Sequence, residues 1–218
     1  MNITIILTTT VFVDFVKCNL EQIDPSSRLE TYIKAILQWL SKTNFNIILV
    51  ENSGFHYSCL DFEKEYYRDR FEVITFNERE LKETEYLREN IAKGASEIFA
   101  INYVFRHSLR IHASKFIIKI TGRYFIPELE EYLRDFSLDK YDCLAQNSRD
   151  RCEMVGCHYR MFSQIFDPHL LNENGEYDGH IENIWKMRTS KCKNVFVCKE
   201  FVIERTQRGG DPSCYITI

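Results

Sequence analysis

The chain has 218 residues, 44% of them hydrophobic and 28% charged, and carries a net charge of −4. That length suits one sizeable α/β unit and is tight for two, and the net charge gives no support for nucleic acid as the main partner, which usually needs a basic face. With 8 Gly and 4 Pro there is little room for flexible linkers, and no repeat occurs at solenoid spacing.

Ile3-Thr4-Ile5-Ile6-Leu7 reads as a first buried strand running into Thr8-Thr9-Thr10. The apolar stretch onward to Val16 lacks a basic start and is broken by Asp14, so a strand is expected there and not a secretion signal. Hydroxyls at a strand end bond a base or ribose, or they simply close a turn. Asp24-Pro25-Ser26-Ser27 is a helix start, with Pro near the first helical position. Leu29, Ile33, Ile36, Leu37 and Leu40 then form one apolar stripe. Residues 45–50 predict a second strand, closed by Glu51-Asn52-Ser53-Gly54. A carboxylate in that place accepts from ribose or base in nucleotide-binding units; a plain Asn-Ser-Gly turn beside a solvated Glu is the alternative. Residues 59–70 read as a short charged helix and 71–76 as a third strand.

The longest helical pattern, 83–108, is interrupted at Lys93-Gly94. A helix beginning there turns backbone amides and an ammonium toward an anion; a surface lysine beside a helix-starting glycine also accounts for the pair. Residues 115–120 are a strand of β-branched and aromatic residues, stopped by Thr121-Gly122-Arg123-Tyr124. Ligands of open α/β sheets sit beyond the carboxyl ends of strands, which puts those four residues at a binding crevice. An amphipathic helix at 128–136, strands at 141–145 and 154–159, and a helix at 160–166 follow. A polar loop, 167–179, leads into a helix at 179–186. Strands at 194–198 and 201–203 then lead to a Gly-rich basic turn, 204–211, holding Arg205 and Arg208.

The 8 cysteines are scattered without a CxxC pair, so reduced, mostly buried thiols are expected in place of disulfides or a zinc knuckle. His107, His112, His158 and His180 are too dispersed for a metal cluster. No run approaches the ~20 apolar residues of a membrane span, so the expected place is the cytosol or attachment to something else.

Five segments, taken in this order along nearly the whole chain, carry a resemblance. They are Thr8-Thr9-Thr10, Val50-Glu51-Asn52-Ser53-Gly54, Lys93-Gly94-Ala95-Ser96-Glu97, Lys119-Ile120-Thr121-Gly122-Arg123-Tyr124 and Ile181-Glu182-Asn183. The sequence resembles sugar-nucleotide-dependent glycosyltransferases of the GT-A fold, above all small transferases of bacterial surface-polysaccharide clusters and large DNA viruses. The Lys-Ile-Thr-Gly-Arg-Tyr run is its specific part. The resemblance implies one α/β domain over residues 1–218, a mixed, mostly parallel sheet flanked by helices. The nucleotide sugar would lie in about 1–126 and the acceptor in about 127–218. It implies transfer of a sugar from a nucleoside-diphosphate sugar to a glycan or other hydroxyl acceptor. Thr8, Thr9 and Glu51 would meet the nucleoside. Lys93 and Gly94, Thr121, Gly122 and Arg123, and Arg205 or Arg208 would meet the diphosphate. Glu182 would be the acceptor-side base, with Asp178 the next candidate.

One departure shapes the chemistry. The family usually holds a divalent metal on an Asp-x-Asp at this strand end, but here Thr121-Gly122-Arg123 stands there and no Asp-x-Asp occurs. Neutralising the leaving diphosphate then falls to Arg123 and its cationic neighbours, and no metal cofactor is expected. Two plainer accounts compete: Arg123 in a salt bridge under the helix near Glu128, and Glu182 as a favourable charge in a first helical turn. The rival functions are a nucleotidyltransferase, whose Gly-rich basic loop after the first strand is absent here, and a binding module that keeps the fold without turnover.

Overall fold

The computed structural model describes residues 2–14, 16–18, 20–147 and 150–218. Its main sheet comprises β1 (Ile3–Thr9), β2 (Asn46–Glu51), β3 (Phe71–Thr75), β4 (Phe116–Thr121), β5 (Cys143–Ala145), β6 (Met154–His158) and β7 (Val195–Val197). The spatial order is β3-β2-β1-β4-β6-β5-β7. β1 pairs in parallel with β2 and β4, β2 with β3, and β5 with β7, whereas β6 runs antiparallel to β4 and β5.

The unbroken apolar runs have a direct cause. Side chains alternate across a strand, and both faces of this sheet are covered. Ile5, Leu7, Ile47, Leu49, Ile118 and Ile120 enter one core, while Ile6, Ile48, Val50 and Ile117 enter the other. Strands buried on both faces show no polar alternation. On the first face lies α1 (Pro25–Lys42), which opens where Asp24 accepts from the Ser27 amide at 2.7 Å. Its Trp39 is fully buried and donates to the Tyr124 carbonyl at 2.9 Å. The short α2 (Asp61–Tyr66) joins β2 to β3. On the second face lie α3 (Lys93–His107) and α6 (Ile181–Ser190), with Ile98, Ile101, Val104, Ile184 and Trp185 facing the sheet. Between them in sequence come α4 (Leu129–Arg134) and α5 (Phe162–Ile165). A separate antiparallel hairpin, β8 (Val202–Gln207) and β9 (Cys214–Thr217), ends the chain.

Three expectations are corrected. The helical pattern at 83–108 does not make one interrupted helix: residues 82–87 form a 3₁₀ turn and α3 begins at Lys93. The buried Lys17 ammonium takes the carbonyls of Leu87 (3.0 Å) and Asn90 (2.8 Å), and the Asn90 side chain takes the Ala92 amide (2.9 Å), so this backbone is spent outside a helical ladder. The charged helix expected at 59–70 keeps helical form only at 58–66; beyond it Arg70 donates to the carbonyl of Phe45 at 3.0 Å and its backbone closes a turn onto Tyr67. Residues 204–207, read as turn, belong to β8, and β9 was not expected at all. The 8 cysteines make no disulfide, and burial pushes the Cys198 thiol up to about 12, which keeps it inert.

Gly94 sets how closely α3 and α6 approach, since a Cβ placed on it would lie 2.6 Å from Ile181 Cβ. Gly94→Ala is expected to destabilise the protein by about 1–3 kcal/mol through overpacking. Urea unfolding would report it as a lower midpoint with an unchanged slope.

Candidate functional site

The chain passes from β3 through α3 to β4 on the far side of β1, so strand order reverses between β1 and β4. Such a switch point leaves a crevice at the carboxyl ends. Thr8 and Thr121 are paired across it, and a cleft of ≈ 630 Å³ opens there.

One wall is cationic. Arg28 of α1, Lys93 at the start of α3, Arg123 just after β4 and Arg208 in the β8–β9 turn all line it. Arg28 is 5% exposed and Arg123 7%. Arg28 donates to the carbonyls of Thr10 (2.6 Å) and Gln22 (2.8 Å) and to the Tyr32 hydroxyl (2.7 Å). Arg123 Nη1 donates to Gln22 Oε1 (3.0 Å) and the Gln207 carbonyl (3.4 Å). Every one of these acceptors is neutral, and among the described residues neither guanidinium has an ion pair. Glu128, expected beneath Arg123, pairs with Lys199 at 2.5 Å. Burial pushes Arg28 below its ordinary value; the Tyr32 hydroxyl opposes this and the Arg123 charge adds to it. Burial also pushes Lys93 down, with Cys18 and Glu182 opposing and the two arginines reinforcing. Two buried like charges, neither paired with a carboxylate among the described residues, are costly, and an anion in the crevice offsets that cost.

The hairpin closes this wall. A Cβ on Gly209 would lie 2.7 Å from Arg123 Nη2, so the turn rests directly on the guanidinium, and the Gly209 carbonyl accepts from the Glu21 amide at 3.2 Å.

The other expected site residues divide. Thr8, Thr9, Gly94 and Thr121 line the cleft, although Thr8 Oγ1 donates to Glu97 Oε1 (2.8 Å) and Thr9 Oγ1 to the Val50 carbonyl (3.0 Å). Glu182 lines it from the first turn of α6 and accepts from the Cys152 thiol at 3.3 Å. Four residues lie outside the lining. Glu51 is fully buried and accepts from the amides of Val11, Ser53 and Phe55 at 2.9 Å each, which ties the β1 and β2 loops together and corrects its placement at the nucleoside. Burial raises its carboxyl, and these hydrogen bonds pull the other way. Gly122 packs on β1, where a Cβ would meet Thr9 Cγ2 at 2.6 Å and the Thr8 carbonyl at 2.8 Å. Arg205 borders a separate groove of ≈ 230 Å³ with Glu30 and Lys34. Asp178 holds the turn before α6, accepting from the His180 amide (2.8 Å) and Asn183 Nδ2 (3.1 Å).

Two features escaped the sequence reading. One is Arg28. The other is Lys119, fully buried in β4, whose ammonium meets Glu97 Oε1 (2.7 Å), Thr121 Oγ1 (3.1 Å) and the Cys152 carbonyl (2.8 Å). It also lies 5.0 Å from the Trp185 ring centroid. A lysine inside an apolar strand demands such partners, and that was the available signal.

The strand end does not fit a divalent metal. It offers one hydroxyl, a glycine and a guanidinium, whereas Mg²⁺ or Mn²⁺ takes several oxygens, carboxylates foremost. Among the described residues no group of three or more His, Cys, Asp or Glu is arranged to hold a metal ion.

Sheet order, flanking helices and the crevice between β1 and β4 define a GT-A-like α/β fold. No family model matches the sequence, and no curated protein matches it. Among solved structures the chain is similar to the glycosyltransferase GlyE of Streptococcus pneumoniae TIGR4 (TM-score 0.56, 7% identity, 90% of this chain and 45% of that one). It is also similar to the 1–349 fragment of S. aureus TarS (TM-score 0.51, 12% identity, 99% and 60%). An active-site mutant of LgtC gives a TM-score of 0.50 at 6% identity over 90% and 72%. The likeness is one of fold, and the chain spans less than two thirds of the GlyE and TarS chains. Among the described residues no helix is long and apolar enough to cross a membrane.

Proposed function

We propose that this protein transfers a sugar from a nucleoside-diphosphate sugar to a glycan or other hydroxyl acceptor, without a metal at the strand end. The observation that carries this is the pair Arg28 and Arg123: both buried, both without a carboxylate partner among the described residues, both lining one cleft with Lys93. The amino end of α3 has no side-chain cap and opens at the same wall, so its amides add to the attraction for phosphate. In this reading Arg123 grips two phosphate oxygens through its planar fork, with Lys93 and Arg208 as further point contacts. The nucleoside lies toward Thr9 and Thr10, since the Thr8 hydroxyl is already turned to Glu97, and the acceptor enters on the side of α6. Glu182 takes the acceptor hydroxyl proton as that oxygen bonds to the anomeric carbon. The bond to the β-phosphate breaks, and the cations stabilise the charge left on the diphosphate. The expected compartment is the cytosol.

A thermal-shift series with nucleoside diphosphates and their sugars tests the binding half, because a ligand of the folded state raises the melting temperature by mass action. Labelled donor then tests turnover. Binding without any transfer or hydrolysis would favour a sugar-nucleotide-binding module. A pH series adds a check on Lys93. Only its protonated form attracts the diphosphate, so affinity should fall as pH rises through its depressed pKa, below the ordinary 10.5. Lys93→Met should abolish that alkaline decline, since arginine side chains stay charged across this range. A decline of equal size in the variant removes Lys93 from the site.

A further inference from the structure

Glu97 has no role in the account so far, yet it lines the same cleft, one helical turn beyond Lys93 on α3. Its Oε1 is clamped by the Lys119 ammonium at 2.7 Å and the Thr8 hydroxyl at 2.8 Å. Lys119 is in turn fixed by Thr121 Oγ1 at 3.1 Å and the Cys152 carbonyl at 2.8 Å, beneath the cleft floor. Among the described residues Oε2 has no hydrogen-bond partner, and the side chain remains 20% exposed. The result is a carboxylate immobilised through one oxygen, with hydrogen-bonding capacity left at the other. A carboxylate accepts hydrogen bonds and cannot donate them, and a buried brace of this kind turns a long side chain into a fixed recognition point.

We propose that Glu97 reads the transferred sugar, accepting from its hydroxyls, and that the donor therefore carries a neutral hydroxylated sugar and not an acidic one. The inference rests on the donor-site reading above. With the diphosphate at Lys93 and Arg123, atoms about one helical pitch (~5.4 Å) along α3 belong to the sugar attached to it. A hydroxyl completes the acceptor capacity of Oε2. The carboxylate of a hexuronate would face a like charge that cannot swing away, because Lys119 and Thr8 hold it.

Calorimetric titration with UDP, UDP-glucose and UDP-glucuronate, and with GDP, GDP-mannose and GDP-mannuronate, tests this. On the nucleotide that binds, the native protein should prefer the hexose form over the hexuronate form by about tenfold or more, the scale of a charge-assisted hydrogen bond exchanged for a like-charge contact. The Glu97→Gln/Lys119→Met double variant should bring that ratio toward one, with affinity for the bare diphosphate kept within about twofold. The double variant is chosen because Glu97→Gln alone strands a buried ammonium and endangers folding. Equal binding of hexose and hexuronate by the native protein overturns the inference, as does a double variant that weakens diphosphate and sugar nucleotide by the same factor, which would make the pair a brace for α3. If no nucleotide binds the native protein, the donor-site reading itself fails and this inference falls with it.

Discussion

Arg123→Met should lower nucleoside-diphosphate affinity by about 10²-fold or more while leaving the melting temperature of the ligand-free protein unchanged or higher. The two halves of that result follow from one fact. Arg123 is 7% exposed, and its guanidinium donates hydrogen bonds to the neutral Gln22 side chain and the Gln207 carbonyl. Burying a charge without an acid destabilises the folded chain, so a methionine of similar length relieves that cost even as it strands two acceptors. The ligand loses both prongs of a charged fork, each hydrogen bond to a charged group contributing about 1.5–3 kcal/mol. Arg123→Lys should recover only part of the affinity, because a point charge replaces the fork. A structural arginine would behave oppositely: stability would drop and affinity would follow it down. Titration calorimetry and thermal melting on the same preparations separate the cases. Turnover should also survive EDTA; loss in EDTA with rescue by Mn²⁺ would return the diphosphate to a metal.

The sheet was legible wherever burial on both faces left an unmistakable run, as in β1, β2 and β4. α1 was legible from Asp24, Pro25 and its apolar stripe, of which Ile36 and Leu40 are buried while Leu37, expected in the core, is exposed. What stayed hidden depended on contacts far apart in sequence. Glu51 reads as a ligand-facing acid until the amides of Val11, Ser53 and Phe55 are seen converging on it. Residues 83–92 are periodic enough for a helix, but the carbonyls of Leu87 and Asn90 are claimed by Lys17, some seventy positions earlier. β9 is a short strand whose pairing with β8 depends on the turn between them, and its own four residues carry little signal.

The candidate site was legible in its cations more than in its geometry. Arg123 and Lys93 were singled out from strand-end and helix-start rules, and the fold brings both to one wall of the cleft. Arg28 lay on a helix already assigned to the core, and nothing local shows that its guanidinium reaches the Thr10 carbonyl at the mouth of the cleft. Lys119 and Glu97 both stood inside the resembling segments, but their 2.7 Å pairing joins β4 to α3 and exists only once the crossover is folded. Sequence order conveyed which residue types were present; the switch point decided which of them meet.

Glu182→Gln should reduce turnover by about 10²-fold or more with donor affinity nearly unchanged, the signature of a general base removed. The carboxylate sits in the first turn of α6, lines the cleft, and receives one hydrogen bond, from the Cys152 thiol at 3.3 Å. Its second oxygen has no partner among the described residues and is available to an acceptor hydroxyl. The competing account, a charge placed to suit the helix dipole, predicts only about 0.3–1 kcal/mol of lost stability and no kinetic effect. Asp178→Asn supplies the contrast, since Asp178 holds the turn before α6 and lies outside the cleft lining, so its loss should show in melting more than in turnover. Gly94→Ala supplies another. A Cβ there presses on Ile181, the residue before Glu182, at 2.6 Å, so it should displace the base from the cationic wall and lower turnover together with stability. Turnover falling in the Gly94 variant but not in Glu182→Gln would show that α6 matters for its position alone, and the base would have to be sought elsewhere.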